Sequence, residues 1–276
     1  MIADFPTDDS SSPELIAAWD DANQEFCAVA DTLTAEDWAT PSKLTGWSVG
    51  DLVAHIAHLD GLLIGDPQVD HAPDWAVLTH AQTPFQKLTE YGVDVRRSRS
   101  QTDVLAELHR VADQRREQLL TVDTTQSLNF IGMELTFNRL MRRRTLDTWV
   151  HLLDICYALD RPWPPQDSPA ARVTAGMWVE NLPRLLAKEA AAPIGSVLRI
   201  VCTGPDVEFD VRCAVDSGGR GMWVADSEPA NATIELSWLH FVALSAGRIP
   251  RAVLDTPVDG DAALAESFLA VMAVTP

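Results

Sequence analysis

MELTFNRLMRRRTLDTWVHLLDICYALDRPWPP, residues 133–165, is the stretch on which the reading of the fold turns. Its hydrophobic period predicts one long helix from about Met133 to Asp160. Arg161-Pro162-Trp163-Pro164-Pro165 then stops it, because proline lacks the N–H a helix interior needs and clashes with the preceding turn. Upstream, the same period recurs three times. Ser12-Pro13 predicts a capped start with proline in the first turn, followed by Leu15, Trp19, Ala22, Phe26, Ala30 and Leu33 at three- and four-residue steps. Ser48-Val49-Gly50-Asp51 predicts a second start, a capping box with Asp for the usual Glu, leading into Leu52, Val53, Ile56, Leu59 and Leu63. A third helix starts near Gln101 and carries Val104, Leu105, Leu108, Val111 and Leu119. Four amphipathic helices joined by loops predict a four-helix bundle over 13–165, behind a disordered acidic lead at 1–12. Residues 64–100 are the least legible, read as a loop and a short helix near the bundle mouth.

Downstream of the proline break the period changes. Residues 171–188 still read as helix, and then Val197–Cys202 forms a short apolar run closed by Gly204-Pro205-Asp206. Val207, Phe209, Val211 and Cys213 alternate with Glu208, Asp210 and Arg212, the period of two that marks a half-buried strand and, with the preceding run, a hairpin. Gly221–Ala225 and Ala232–Leu236 are further strand candidates, and helices at about 237–246 and 261–273 close the chain. The fold class is therefore α+β in two domains: a helical bundle over 13–165 and a small α+β domain over 170–276.

Composition narrows the function. The 276 residues are 46% hydrophobic and 22% charged, an ordinary globular balance. Forty acidic against 21 basic residues give −19, which argues against nucleic acid or an anionic membrane as partner, since clustered Lys and Arg hold both. No run approaches the ~18 apolar residues of a spanning helix. The opening MIADFPTDDSSSP carries acid where a signal peptide carries base, so a soluble, cytoplasmic protein is expected. Cys27, Cys156, Cys202 and Cys213 show no CxxC spacing and read as small buried hydrophobes. Only three of the basic residues are Lys, a mark of GC-rich coding.

Within the quoted stretch, Asp147-Thr148-Trp149-Val150-His151 puts a carboxylate and an imidazole on one helix face, a turn apart, with Asp154 on nearly the same face. Such a pair can grip one divalent ion, as inward-pointing ligands do in other bundles. The same stripe also reads as a solvated face, with Arg143 and Arg144 pairing Asp147 at the surface. On the second helix, His55 becomes a third ligand if that helix faces the fourth, and His58 competes with it. Otherwise His55 is a hydrogen-bonded core histidine. Three protein ligands leave an open coordination position, the mark of a catalytic rather than structural zinc.

The segment Leu44-Thr45-Gly46-Trp47-Ser48-Val49-Gly50-Asp51-Leu52-Val53-Ala54-His55 resembles the helix-two signature of the mycothiol-dependent maleylpyruvate isomerase family, a branch of the DinB-like metal-binding bundles. Leu146–Leu159, with Trp149-Val150-His151 and Asp154-Ile155 at its centre, is similar to that family's helix-four signature. Val258-Asp259-Gly260-Asp261, Leu264-Ala265 and the closing Ala273-Val274-Thr275-Pro276 resemble its second domain, which is related to the sterol carrier protein type two fold. The resemblance implies a zinc, or another divalent ion, held by His55, Asp147 and His151, with Asp147 standing where the family has Glu. The shorter side chain would draw the metal toward helix four or hold it through water. Asp154 would accept a hydrogen bond from a ligand imidazole. The resemblance further implies mycothiol, the small thiol of actinobacteria, as cofactor or co-substrate, and an isomerase or S-transferase acting on a small electrophile. A metal-dependent hydrolase on the same site and a non-catalytic small-ligand-binding protein are the competing readings. Arg96, Arg97, Arg99, Arg144 and Arg248 are the arginines an anionic substrate would call on.

Overall fold

Helix α1 (Ser12–Ala30) begins where Ser11 accepts a hydrogen bond from the Glu14 amide and Pro13 occupies the first turn. Its inner face is Leu15, Trp19, Ala22, Phe26 and Ala30, all buried. The short α2 (Ala35–Ala39) and the longer α3 (Val49–Ile64) each open on a capping box, Thr34 with Asp37 and Ser48 with Asp51. Gly65 ends α3 in the left-handed conformation at φ +86°. Next come α4 (Pro84–Arg97), α5 (Gln101–Leu119), a hairpin of β1 (Ser127–Phe130) and β2 (Met133–Thr136), and α6 (Phe137–Ala158). In this computed structural model, which describes residues 5–204, 207–249 and 251–275, α1 packs on α6 and α5, and α3 packs on α4, α5 and α6. Phe26, Leu52, Val53, Ile56, Val104, Leu108, Leu152 and Ile155 interlock in the core between them. Enclosed by those neighbours, α3 is buried on every side from Val49 to Gly61.

Two local features depart from expectation. The quoted stretch begins as a strand: Met133–Thr136 pairs with Ser127–Phe130 across Ile131 and Gly132, both at positive φ, so α6 starts at Phe137 with Thr136 as its cap. The region 64–100 contains fourteen residues of helix in α4, introduced by Thr83, Pro84 and Gln86 as a capping box with proline in the first turn.

The chain divides into two compact units, 8–171 and 172–276, the second also taking in residues 1–7. Helix α7 (Pro169–Glu180) crosses that division, and the expected helix 171–188 breaks at Asn181 into a short α8 (Leu182–Arg184) and a π-helical turn over 185–189. A five-stranded sheet follows in the order β5-β4-β3-β6-β7, with β3 (Val197–Thr203), β4 (Phe209–Val215), β5 (Gly221–Trp223), β6 (Ala232–Ser237) and β7 (Val258–Gly260). The expected hairpin is β3–β4, antiparallel with Ile200 opposite Val211, while β6 lies parallel to β3 on its other side. Of the turn expected at Gly204-Pro205-Asp206, the last two residues lie outside those described, as do Met1–Asp4 of the acidic lead and the terminal Pro276. Helices α9 (Trp238–Ser245) and α10 (Ala262–Leu269) pack on β6. An aromatic cluster of Trp178, Phe209, Trp238 and Phe241 fills this unit's core, with Phe5 against Phe209. The described part of the expected lead is anchored rather than loose. Asn138 donates to the carbonyls of Asp8 and Ser10, and Arg142 to the Asp8 carboxylate.

Candidate metal centre

The packing of α3 on α6 brings His55 of the first to Asp147 and His151 of the second. His55 Nε2 stands 3.2 Å from Asp147 Oδ2, and His151 Nε2 stands 3.6 Å from Asp147 Oδ1. The two rings meet edge to face with centroids 4.8 Å apart. One donor atom from each of the three residues lies within 4.8 Å of the others. Donors bound to one ion at ~2.0–2.1 Å in a tetrahedral arrangement stand roughly 3.3 Å apart. The two separations to Asp147 therefore match one small divalent ion, and the 4.8 Å span of the set means the two rings would close in slightly on it. Both imidazoles are buried and Asp147 is half-buried, which leaves one side of the cluster open.

A surrounding layer orients these side chains. Buried Asp154, one turn along α6, stands 3.0 Å from His151 Nδ1. A carboxylate can only accept, so Nδ1 carries the proton and the Nε2 lone pair points to the cluster. Trp47 lies against His55 (5.0 Å between centroids) and His151 (6.1 Å). Its indole N–H donates to Glu90 Oε2 on α4 at 2.6 Å, and Glu90 also takes Arg97 (2.6 Å) and His80 (2.7 Å). Gly46, just before Trp47, sits at φ +84°, and a Cβ there would fall 2.5 Å from His80 Nδ1. Both constraints call for glycine.

Arg144 is the least expected member. It is sealed from solvent, with Nε donating to Asp60 Oδ1 of α3 at 2.7 Å and Nη1 to Asp147 Oδ2 at 2.6 Å. The pairing that also read as a surface one is part-buried, with the guanidinium sealed and one edge of the carboxylate exposed. Burial pushes the Asp147 carboxyl up, but the charges of His55 and Arg144 and its hydrogen bonds outweigh this and hold it far below the usual carboxylate range. Burial pushes His55 down, with the charge of Asp147 and its hydrogen bond opposing. Arg144 stays charged because Asp60 and Asp147 overcome its desolvation.

His58 does not join the cluster; its ring faces Gly92 of α4. His71, His80 and His109 each pair with a carboxylate elsewhere. Of the arginines considered for an anionic substrate, Arg144 alone among the described residues of the helical unit touches the three-residue cluster. Sequence reasoning gave no role to Trp47, Glu90 or Asp60. The signal for Asp60 was an acid inside the apolar run Leu59-Asp60-Gly61-Leu62-Leu63, where a carboxylate needs a partner.

Fold and cluster together define a helical bundle that converges two imidazoles and a carboxylate on one point, joined in sequence to a small α+β unit. The chain belongs to the family described as the mycothiol maleylpyruvate isomerase N-terminal domain, whose model matches residues 19–156 and so spans all three converging residues. Among solved structures it is similar to a mycothiol-dependent maleylpyruvate isomerase, at a TM-score of 0.57 and 12% identity over 91% of this chain and 94% of that one. A histidine-to-alanine mutant of a mycothiol-dependent maleylpyruvate isomerase matches at 0.55 and 12% over 87% and 91%. No curated protein sequence matches the chain.

Proposed function

We propose that this protein is a metal-dependent enzyme that uses a low-molecular-weight thiol, mycothiol, as cofactor or co-substrate. It acts as an isomerase or S-transferase on a small electrophilic molecule. His55, Asp147 and His151 hold one divalent ion, zinc by preference, and Asp154 orients His151 behind it. The observation that carries the reading is the convergence of three donor atoms within 4.8 Å in a family of mycothiol isomerases. Bound zinc would supply the deprotonation of a thiol that in free solution titrates near roughly 8.5.

The chain's own residues do the rest. Three protein donors leave a fourth position for an outside ligand. Asp154 keeps the proton on His151 Nδ1. Trp47 covers both imidazoles, and Arg144 fixes the Asp147 carboxylate. In its finer part the proposal makes the first unit a DinB-like four-helix bundle and the second a relative of the sterol carrier protein type two fold. It also places the protein in an actinobacterial cytoplasm, with small molecules rather than nucleic acid or membrane as partners. No described helix is long and apolar enough to cross a membrane.

Elemental analysis of the purified protein tests the metal, with about one ion per chain expected. His55→Ala and His151→Ala should each lose most of it, because two ligands rarely hold zinc, and Asp147→Glu should keep it. Full metal content in both alanine variants would remove the assignment. Electrophiles and activated esters, offered to metal-loaded protein with and without mycothiol, test the chemistry, and turnover only with thiol is expected. Thiol-independent ester cleavage would mean a hydrolase, and no turnover would mean a binding protein.

A further inference from the structure

His58 lies one turn beyond His55 on α3 but points toward α4, where its ring packs so tightly on Gly92 that a Cβ there would fall 2.0 Å from Cδ2. It is 6% exposed, and its Nε2 is buried without a hydrogen-bond partner among the described residues. Buried polar atoms left unpaired cost free energy and call for an explanation.

The same ring lines a cavity of about 450 Å³ between α3, α4, α5 and residues 66–69, within the roughly 300–1,000 Å³ range of small-molecule sites. None of the lining residues belongs to the metal cluster. Its outer wall is pinned by Tyr91, whose hydroxyl donates to the Val69 carbonyl, and by Asp66, which Arg110 engages at 2.5 and 3.2 Å. Charge inside is unbalanced. Arg96 and Arg99 share a single acid, with Arg96 donating to both oxygens of Glu107 and Arg99 to Oε2 as well. With Arg110 closed on Asp66, three guanidinium groups face two carboxylates on this wall. One positive charge is therefore in surplus, in a chain whose net charge is −19. Leu62, Val69, Tyr91 and Val95 supply an apolar side.

We propose that this cavity is a second ligand site, distinct from the metal centre, that takes a small organic carboxylate. The carboxylate meets the Arg96–Arg99 edge, an apolar body rests on Leu62, Val95 and Tyr91, and His58 offers a hydrogen bond. Burial, which pushes His58 down to about 4, keeps its imidazole neutral at physiological pH, so it acts as a directional partner rather than a second charge.

Benzoate and its neutral isostere benzamide test this by calorimetric titration of the full chain. EDTA is present throughout so that no metal offers the carboxylate a competing position. Benzoate should bind about tenfold or more tightly than benzamide, the difference a charge-assisted hydrogen bond makes. Arg99→Gln should weaken benzoate about tenfold and leave benzamide unchanged. Leu62→Trp, which fills the cavity without touching a charge, should abolish both. The ring signals of His58, assigned by their absence in His58→Gln, should shift on adding benzoate to the parent protein. Equal affinity for the two compounds, no binding of benzoate, or benzoate affinity unchanged in Leu62→Trp would each overturn the proposal.

Discussion

Asp60 and Asp147 hold Arg144 from two helices; Arg144 and Asp60 are sealed from water, while Asp147 keeps one edge exposed. Removing one partner of such a group leaves a buried charge short of compensation, whereas the intact pair adds little net stability. Asp60→Ala should therefore cost about 3 kcal/mol, read as a lower urea midpoint, and the freed guanidinium should pull on Asp147. An unchanged midpoint would show that Arg144 finds another acceptor. His58 makes a pH prediction. Burial lowers its pKa from 6.5 to about 4, so between those values the unfolded chain binds the extra proton and the folded chain does not. Stability from this group is complete above about 6.5, falls as the pH drops toward 4, and levels off below. Denaturant titrations of the parent and of His58→Gln at several pH values isolate it. The parent should lose stability faster in that window, by up to one proton's worth of slope, and parallel curves would contradict it.

At the scale of elements, α4 matters more than its low apolar content suggests. It presses Gly92 onto His58 and supplies Glu90, which holds the Trp47 indole beside the metal cluster. Gly92→Ala should force α4 away from α3 and cost about 2 kcal/mol, as overpacking does. Combining it with His58→Ala should recover much of that loss, since the two side chains occupy the same volume. Urea denaturation of the two single variants and the double variant measures the coupling, and strictly additive losses would show that the clash is not what Gly92 relieves. The cap of α3 gives a smaller effect. Ser48→Ala removes one half of the capping box and should cost about 1 kcal/mol while leaving metal content intact.

For the whole molecule, each compact unit has its own apolar core, and each core contains two of the four cysteines. Cys27 and Cys156 lie in the helical unit, Cys202 and Cys213 in the sheet unit, and all are buried and unpaired. Burial pushes Cys27, Cys202 and Cys213 up to about 12 and raises Cys156 as well, so the reactive thiolate is scarce throughout. A disulfide reagent at pH 8 should label almost nothing in the native protein within minutes and four thiols after denaturation. Reductant should leave the melting temperature unchanged. Rapid labelling of one native thiol would reveal a local opening in the unit that holds it.

Much of this architecture was legible because its signals are local. Ser-Pro and Ser-Val-Gly-Asp caps, the three- and four-residue periods, the Pro-rich stop after Asp160 and the strict alternation over 207–213 each report a backbone's immediate surroundings. The spacing of Asp147 and His151 is equally local, and it alone put two of the converging side chains on one face. The hairpin before α6 escaped because Ser127–Phe130 and Met133–Thr136 are only four residues each, too short to separate from a helix start by periodicity. Arg144 escaped because a charge is read as exposed unless its partners are known, and one of them, Asp60, lies 84 residues away. The choice between His55 and His58 was the decisive case. The run from Val49 to Gly61 is buried all round, so no polar stripe marks which side of α3 meets α6 and which meets α4. Only the packing of four other helices against it sends His55 to the carboxylate and His58 to a cavity, because a helix without an exposed face carries no record of its own orientation.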